Sequence, residues 1–149
     1  MERVNKQKAL IWIGIGLFVF FYPMLISIYV FLPLFIGAMS YMFILGLEKE
    51  KKAYILISII FMMNIEVNLS LPTFLIIISA LLFYVLINPY LQHFRKCKMC
   101  KPIISVLLLD LMYLASLFSY DFIFQTQSIV LDDILLYSLI VDMLIVVIL

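Results

Sequence analysis

The sequence predicts an all-α membrane protein: a polytopic bundle of about six transmembrane helices that forms one integral membrane domain, residues 1–149. Of its 149 residues, 67% are hydrophobic and only 13% are charged, and the mean hydropathy is +1.25. A soluble domain of this size is nearer half apolar, because it needs a polar surface. The apolar runs are continuous rather than alternating, which is typical of membrane helices and not of barrel strands.

Short polar breaks define three spans in the first half of the chain, approximately residues 9–29, 34–47 and 53–67. Pro33 marks the turn between the first two spans, since proline disfavours helix continuation through the preceding residue. The second span is short for a crossing, so we expect it to begin a few residues earlier. Pro23 lies inside the first span. It either kinks the helix or ends it at Tyr22, which would leave residues 23–31 as a re-entrant or interfacial piece.

The second half of the chain divides into three further spans, approximately residues 73–91, 103–124 and 130–149. Pro72 suits the first turn of the fourth span, where its missing N–H costs nothing, and Pro102 opens the fifth. A basic loop lies between the fourth and fifth spans. We find no internal repeat and no room for a soluble domain.

The basic residues predict the orientation of the bundle. If the spans alternate in direction, the N-terminus, the loop between spans two and three and the loop between spans four and five share one side. All ten basic residues lie there: Arg3, Lys6, Lys8, Lys49, Lys51, Lys52, Arg95, Lys96, Lys98 and Lys101. The positive-inside rule then places both termini in the cytoplasm. The apolar run after the basic start has no small-x-small cleavage pattern, so we expect a retained span rather than a signal peptide.

Two carboxylates inside the predicted spans are the main candidates for a functional site. Asp110 lies in the fifth span and Asp142 in the sixth, and a charged group at such depth is costly unless it is paired or protonated. At 1.5 Å per residue, both lie roughly 12–13 Å from the cytoplasmic face of a 30 Å core. Antiparallel neighbours would bring them to one level, as a shared polar site or a proton-sharing pair. The alternative is that each only fastens helices together.

A second polar group lies near the outer end of the third span. Asn64 and Asn68 are four residues apart and share a helix face, whereas Glu66 points elsewhere. This cluster is either a polar mouth or partner-binding edge, or an ordinary helix end that reaches water. The glycines Gly37 and Gly46 are not in GxxxG spacing, so close glycine-mediated helix packing is not predicted.

Three acidic residues are expected at the outer interface as solvated helix ends: Asp121, Asp132 and Asp133.

The basic loop between spans four and five contains Cys97 and Cys100. A structural zinc site needs four ligands, and only His93 could join the two thiols, so we predict no metal. A redox pair is the alternative, but it lacks the usual fold context, and in a reducing cytoplasm we expect two free thiols. The basic residues of this loop either bind anionic lipid headgroups or act only as topology signals: Arg95, Lys96, Lys98 and Lys101. No cofactor motif and no sign of a nucleic-acid partner is present.

The order and spacing of several segments resemble the rod shape-determining MreD family of small polytopic bacterial inner-membrane proteins. In both, a proline opens the second span, a short charged loop follows it, a polar stretch ends the third span, and an acidic residue lies within the fifth. The segments that carry the resemblance are Pro33, Tyr41 to Leu47, Asn64 to Pro72, Leu81 to Leu86, Tyr90 to Lys96, and Asp110.

This resemblance implies a non-enzymatic scaffold in the bacterial inner membrane. Members of the family work with MreC, the MreB filament and the elongation-phase peptidoglycan synthases to maintain cell shape. They are also thought to share the fold of the substrate-binding subunits of vitamin transporters. The expected partners are therefore the lipid bilayer and other membrane proteins.

Two other functions stay open from the residues. One is a small solute transporter, or a transporter subunit, that uses Asp110 and Asp142 in a polar intramembrane site. The other is a membrane enzyme acting on lipid. It is the weaker possibility, because the spans lack a convergent set of histidine, glutamate or lysine residues.

Overall fold

The computed structural model describes residues 2–29, 32–91, 100–125 and 133–148, which form seven helices and no strand. This confirms the predicted all-α class. The helices are α1 (Glu2–Ile28), α2 (Ile36–Glu48), α3 (Lys52–Asn68), α4 (Leu75–Leu86), α5 (Asn88–Leu91), α6 (Cys100–Phe124) and α7 (Asp133–Ile148).

The helices follow the predicted spans with four main differences. Helix α1 begins at Glu2, before the predicted start of the first span at about residue 9. The second helix begins at Ile36, later than the predicted start rather than earlier. The fourth span is broken at Ile87 into α4 and the single turn α5. Pro72 precedes the first residue of α4 by three positions, so it lies in the extended entry to the helix and not in its first turn.

Two helical segments are long and apolar enough to cross a membrane, Leu10–Ile28 and Cys100–Phe124. The apolar helices α2 and α4 have 13 and 12 residues. At 1.5 Å per residue they are about 20 Å long, which is shorter than a hydrocarbon core of about 30 Å. By length alone the described helices therefore supply two full crossings, and the six-span arrangement stays a prediction.

The second and sixth helices form the centre of the bundle. Helix α2 packs against α3, α4, α6 and α7, and α6 also packs against α4 and α7. Side chains of α2, α3, α4 and α6 build one large apolar core that includes Phe43, Phe61, Phe83 and Leu109. Helix α1 lies at the edge. It packs mainly on α3 and leaves most of its apolar side chains exposed.

Side-chain contacts show that the helices alternate in direction. At one end, the Lys101 Nζ at the start of α6 is 3.0 Å from the Glu48 Oε1 at the end of α2. At the other end, the Ser27 hydroxyl near the end of α1 donates to the Asn68 carbonyl at the end of α3, at 3.2 Å. The exposed lysines that follow α2 lie at the first end, where Glu48 ends its helix: Lys49, Lys51 and Lys52.

Helix α1 continues through Pro23 as far as Ile28, so the alternative of a helix that ends at Tyr22 is wrong. Proline has no N–H, and the carbonyl of Val19 therefore loses its helical partner. The Asn64 side chain of α3 replaces that partner. Its Nδ2 donates to the carbonyls of Val19 at 3.2 Å and Phe20 at 3.1 Å. A polar side chain on one helix thus stabilises the proline break in its neighbour.

Candidate functional site

The site is built around the first turn of α2, which begins inside the bundle. Phe35, just before the helix, has a left-handed backbone (φ 55°) and turns the chain from an extended segment into the helix. The first N–H groups of a helix have no partner within it and must be satisfied from elsewhere. Here the Gly37 N–H donates to Asp142 Oδ2 of α7 at 2.9 Å, and the Asp142 side chain is buried.

Asp110 of α6 lies against the same residue. A Cβ added to Gly37 would be 2.6 Å from Asp110 Oδ1 and 2.7 Å from Oδ2, so only glycine fits beside this carboxylate. The two carboxylates are close enough to interact electrostatically. The structure thus brings Asp110 and Asp142 together at Gly37, as the estimate of their depths predicted.

The entry to α2 is held by two further bonds. The Leu34 N–H donates to the Ser138 hydroxyl oxygen of α7 at 3.0 Å. The Tyr22 hydroxyl of α1 donates to the Pro33 carbonyl at 2.8 Å. Backbone groups that a continuous helix would satisfy internally are therefore satisfied by side chains from the first and last helices.

Three buried oxygens in this region have no hydrogen-bond partner within the part of the chain that the structure describes: Asp110 Oδ2, Asp142 Oδ1 and the Tyr113 hydroxyl. A cavity of about 20 Å³ lies beside Asp110 and Tyr113, and Ser138 and apolar side chains complete its wall. That volume holds roughly one water-sized particle. Buried polar atoms are nearly always paired, so such a group needs a physical explanation.

The first turn of α4 is built in the same way, but the carboxylate that faces it belongs to a glutamate. Phe74 precedes the helix with φ 70°, and Glu66 of α3 lies under its first turn. Glu66 Oε2 accepts the Phe74 N–H and Oε1 accepts the Ile76 N–H, both at 2.7 Å. Glu66 is fully buried. The interpretation of an ordinary helix end that reaches water is therefore wrong for this residue.

A short sequence pattern underlies both helix starts. Leu32–Phe35 reads Leu-Pro-Leu-Phe and Leu71–Phe74 reads Leu-Pro-Thr-Phe, and in each the phenylalanine takes the positive φ. The match covers only four residues, so it is a shared local signal and not an internal repeat of the chain. Leu-Pro-x-Phe before an apolar run is the signal that would have placed the start of both helices after the phenylalanine.

The remaining members of the polar cluster have local roles. Asn68 Nδ2 donates to both the side-chain and the main-chain oxygen of Asn64 at 2.7 Å. Their shared face is therefore confirmed, as is the different direction of Glu66. Whether Asn64 and Asn68 also form a polar mouth or a partner-binding edge stays a prediction.

Close packing at glycine does occur in α2, contrary to expectation. Besides Gly37, a Cβ at Gly46 would lie 2.8 Å from Ile55 Cγ1 and 3.0 Å from the Ile55 nitrogen of α3. The GxxxG pattern was the wrong test, because here each glycine admits a different neighbour at its own position.

Most of the basic loop lies outside the described residues, including His93, Arg95, Lys96, Cys97 and Lys98. Lys101 is described, and Glu48 accepts bonds from its ammonium group at 3.0 and 3.2 Å. The predicted lipid contact of this loop is therefore untested.

Cys100 is disulfide-bonded, so the prediction of two free thiols is wrong.

Of the three predicted interface acids, only Asp121 has a described side chain, and it is partly exposed. The side chains of Asp132 and Asp133 lie outside the described residues. Within the described part of the chain, no three histidine, cysteine, aspartate or glutamate side chains are grouped as a metal site would require. Comparison with protein-family models, curated proteins and solved structures finds no significant match.

Proposed function

We propose that this chain is a non-enzymatic scaffold of the bacterial inner membrane and a subunit of the cell-elongation machinery. The observation that carries the proposal is how the buried and half-buried polar side chains are used. Glu66, Asn64, Ser138 and Asp142 each bond the backbone of another helix or of its entry segment. They hold the bundle together, while apolar side chains cover much of its outside. The elongation role itself rests on the resemblance to the MreD family.

Six crossings with both termini in the cytoplasm fit this construction. Helices α2 and α4 are too short to span the bilayer alone, but each is preceded by a non-helical entry segment. Irregular backbone is tolerated at membrane depth where protein buries it. Pro33 is buried, and its carbonyl is bonded by Tyr22. The entry segment before α2 and that helix therefore complete one crossing together, and we assign the same arrangement to α4, whose entry residues Thr73 and Phe74 are exposed.

Cysteine labelling tests this orientation. In a background without native cysteines, Lys51→Cys lies at the end that we place in the cytoplasm, and Ser70→Cys lies at the opposite end. Both positions are exposed. A membrane-impermeant maleimide added to intact spheroplasts should label Ser70→Cys, and Lys51→Cys only after the membrane is opened. Labelling of Lys51→Cys in intact spheroplasts would overturn the six-span arrangement.

Helix α1 is the surface that we assign to partner membrane proteins. Its exposed apolar residues include Leu10, Trp12, Phe20 and Phe21, and it is held to the bundle mainly through α3. Depletion in a rod-shaped host should round the cells, and affinity purification from mild detergent should recover membrane proteins of wall elongation. Unchanged cell shape after complete depletion would count against the proposal.

Solute transport is the second candidate, and one observation favours it. Helices that begin inside the membrane commonly build the binding sites of transporters, with their N-terminal ends directed at the substrate. The first turn of α2 has this arrangement beside its cavity. A volume of about 20 Å³ limits any bound particle in this conformation to the size of a water molecule or small ion. Unchanged uptake in the double variant Asp110→Asn and Asp142→Asn would exclude a transport site at these residues.

A further inference from the structure

The charges at the first turn of α2 do not balance. Asp110 and Asp142 are both buried there, at 9% and 1% exposure. The helix N-terminus supplies the equivalent of only about half a positive charge. An isolated ionised carboxylate is very costly in a low-dielectric interior, so further positive charge is required if both side chains are to stay there.

The neighbouring helices supply no such charge among the described residues. From α1, Tyr22 lies within electrostatic range of Asp142, and Tyr137 of α7 lies near Tyr22. From α6, Tyr113 lines the same cavity as Asp110. Tyrosine is neutral or negative, never positive. Lys101 bonds Glu48 at the far end of α2.

Two carboxylate oxygens at this turn also lack hydrogen-bond partners among the described residues. Asp142 Oδ2 accepts the Gly37 N–H, but Asp142 Oδ1 and Asp110 Oδ2 have no partner. Both unpartnered atoms are acceptors when the carboxylates are ionised, so a hydrogen-bond donor or a cation would satisfy them. The Tyr113 hydroxyl in the cavity wall has no partner among the described residues either, so it has not been used for this purpose. The backbone donor at Gly37 already bonds the other oxygen of Asp142. A bound cation would supply both the missing charge and the missing contact.

We propose that Asp110 and Asp142 form a binding site for one small monovalent cation at the first turn of α2, with Asp110 and Ser138 in the wall of the adjoining cavity and Asp142 bonded to Gly37 beside it. The cavity of about 20 Å³ has room for one particle of this size. Ser138 adds a hydroxyl oxygen to its wall, and Gly37 lets the Asp110 carboxylate approach the helix. The cation is Na⁺, or a proton held on the carboxylate pair. In either case it stabilises the bundle and is independent of the scaffold function.

A thermal stability titration tests for Na⁺. The full chain in nanodiscs is melted in sodium chloride and in choline chloride at equal ionic strength, because choline is too large for the cavity. Sodium should raise the melting temperature by roughly 5 °C at a hundredfold excess over its dissociation constant. The rise should be absent in Asp110→Asn. It should persist in Asp121→Asn, a matched control on the same helix that lies away from the cavity.

Infrared spectroscopy tests for the proton. A protonated carboxyl group gives a C=O stretching band separate from that of carboxylates, and the band shifts in D₂O. With choline as the only added cation, the wild type should show a buried carboxylic-acid band that Asp110→Asn or Asp142→Asn removes. Asp121→Asn should retain it.

Each outcome decides the proposal. A sodium response that Asp110→Asn abolishes supports Na⁺, and an acid band that the same variant removes supports the proton. The proposal is overturned if the wild type shows neither signal, or if the folded Asp110→Asn variant retains the signal. A variant that fails to fold is replaced by Asp110→Ser, which removes the charge and leaves space.

Discussion

The first turns of α2 and α4 are built alike but completed differently. Each follows a Leu-Pro-x-Phe segment whose phenylalanine has positive φ, and each receives a carboxylate from a neighbouring helix. Glu66 uses both oxygens, one for Phe74 and one for Ile76. Asp142 uses one oxygen for Gly37 and leaves the other unpartnered, and a second carboxylate lies beside it.

Glu66 is therefore a structural carboxylate whose two oxygens are both bonded, whereas Asp142 has an oxygen that could still accept a hydrogen bond or a cation. At α4 one negative side chain meets one helix N-terminus, and every oxygen is bonded. At α2 two negative side chains share one N-terminus, so charge and acceptor atoms are both in excess. The sequence pattern at the two helix starts is nearly identical, and only the number of facing carboxylates distinguishes them.

Amide substitutions should show the largest contrast. Glu66→Gln weakens two charge-assisted bonds and leaves one donor facing an amide nitrogen, so it should destabilise the bundle by about 3 kcal/mol. Asp142→Asn can retain the bond from Gly37 and removes repulsion with Asp110, so it should cost less than about 1 kcal/mol. Melting in nanodiscs under choline measures both. Equal losses in the two variants would show that the two helix starts are energetically equivalent.

Gly37→Ala should have the next largest effect. Its Cβ would overlap the Asp110 carboxylate at 2.6 Å, and the helices must separate to accommodate it. Overpacking of this kind costs about 2 kcal/mol. Gly14→Ala is the matched control in an open part of α1, since no atom lies within 4 Å of its added Cβ. It should leave the melting temperature unchanged or slightly raised. A similar loss in both variants would place the cost in the backbone rather than at Asp110.

The proline break in α1 offers a smaller, reversible effect. Asn64→Ala removes the donor to the Val19 carbonyl and should cost about 1 kcal/mol. In a Pro23→Ala background the new N–H can bond Val19 itself, so the same substitution should cost less by about 0.5 kcal/mol or more. Melting of the four proteins of this double-mutant cycle gives the coupling. Additive losses would mean that Asn64 does not compensate for the proline.

The ion pair at the opposite end of α2 should matter least. Lys101 and Glu48 are each 21% exposed, and a partly solvated pair contributes about 0.5 kcal/mol. Lys101→Met should therefore lower the melting temperature slightly, and the loss should shrink at high salt. A loss as large as that of Glu66→Gln would show that this end of the bundle is as important as the buried first turns.

Position along the helices was the information that the sequence carried well. Apolar runs located the described helices, and counting residues from the helix ends brought Asp110 and Asp142 to one level. Both inferences use only the rise of a helix and the position of polar breaks. For the same reason the sequence separated the face of Asn64 and Asn68 from that of Glu66.

Partner atoms were not predictable, because they depend on where backbone groups lose their helical bonds. The helix start after Phe35 exposes the Gly37 N–H, and nothing in the hydropathy marks that position. Gly37 was judged by its spacing to other glycines, whereas its role is to admit one carboxylate. The Leu-Pro-x-Phe pattern would have revealed both helix starts, but not that Asp142, far along the chain, faces one of them.

The separation of bonded residues along the chain sets an order of events during synthesis. Glu66 lies 8 and 10 residues from its partners, so α4 can be completed as soon as it leaves the ribosome. Gly37 waits for Asp142, 105 residues later. At about 5–20 residues per second that is a delay of roughly 5–20 s. For that interval the first turn of α2 lacks the carboxylate that accepts its Gly37 N–H, and a nascent chain arrested before position 142 would never gain it.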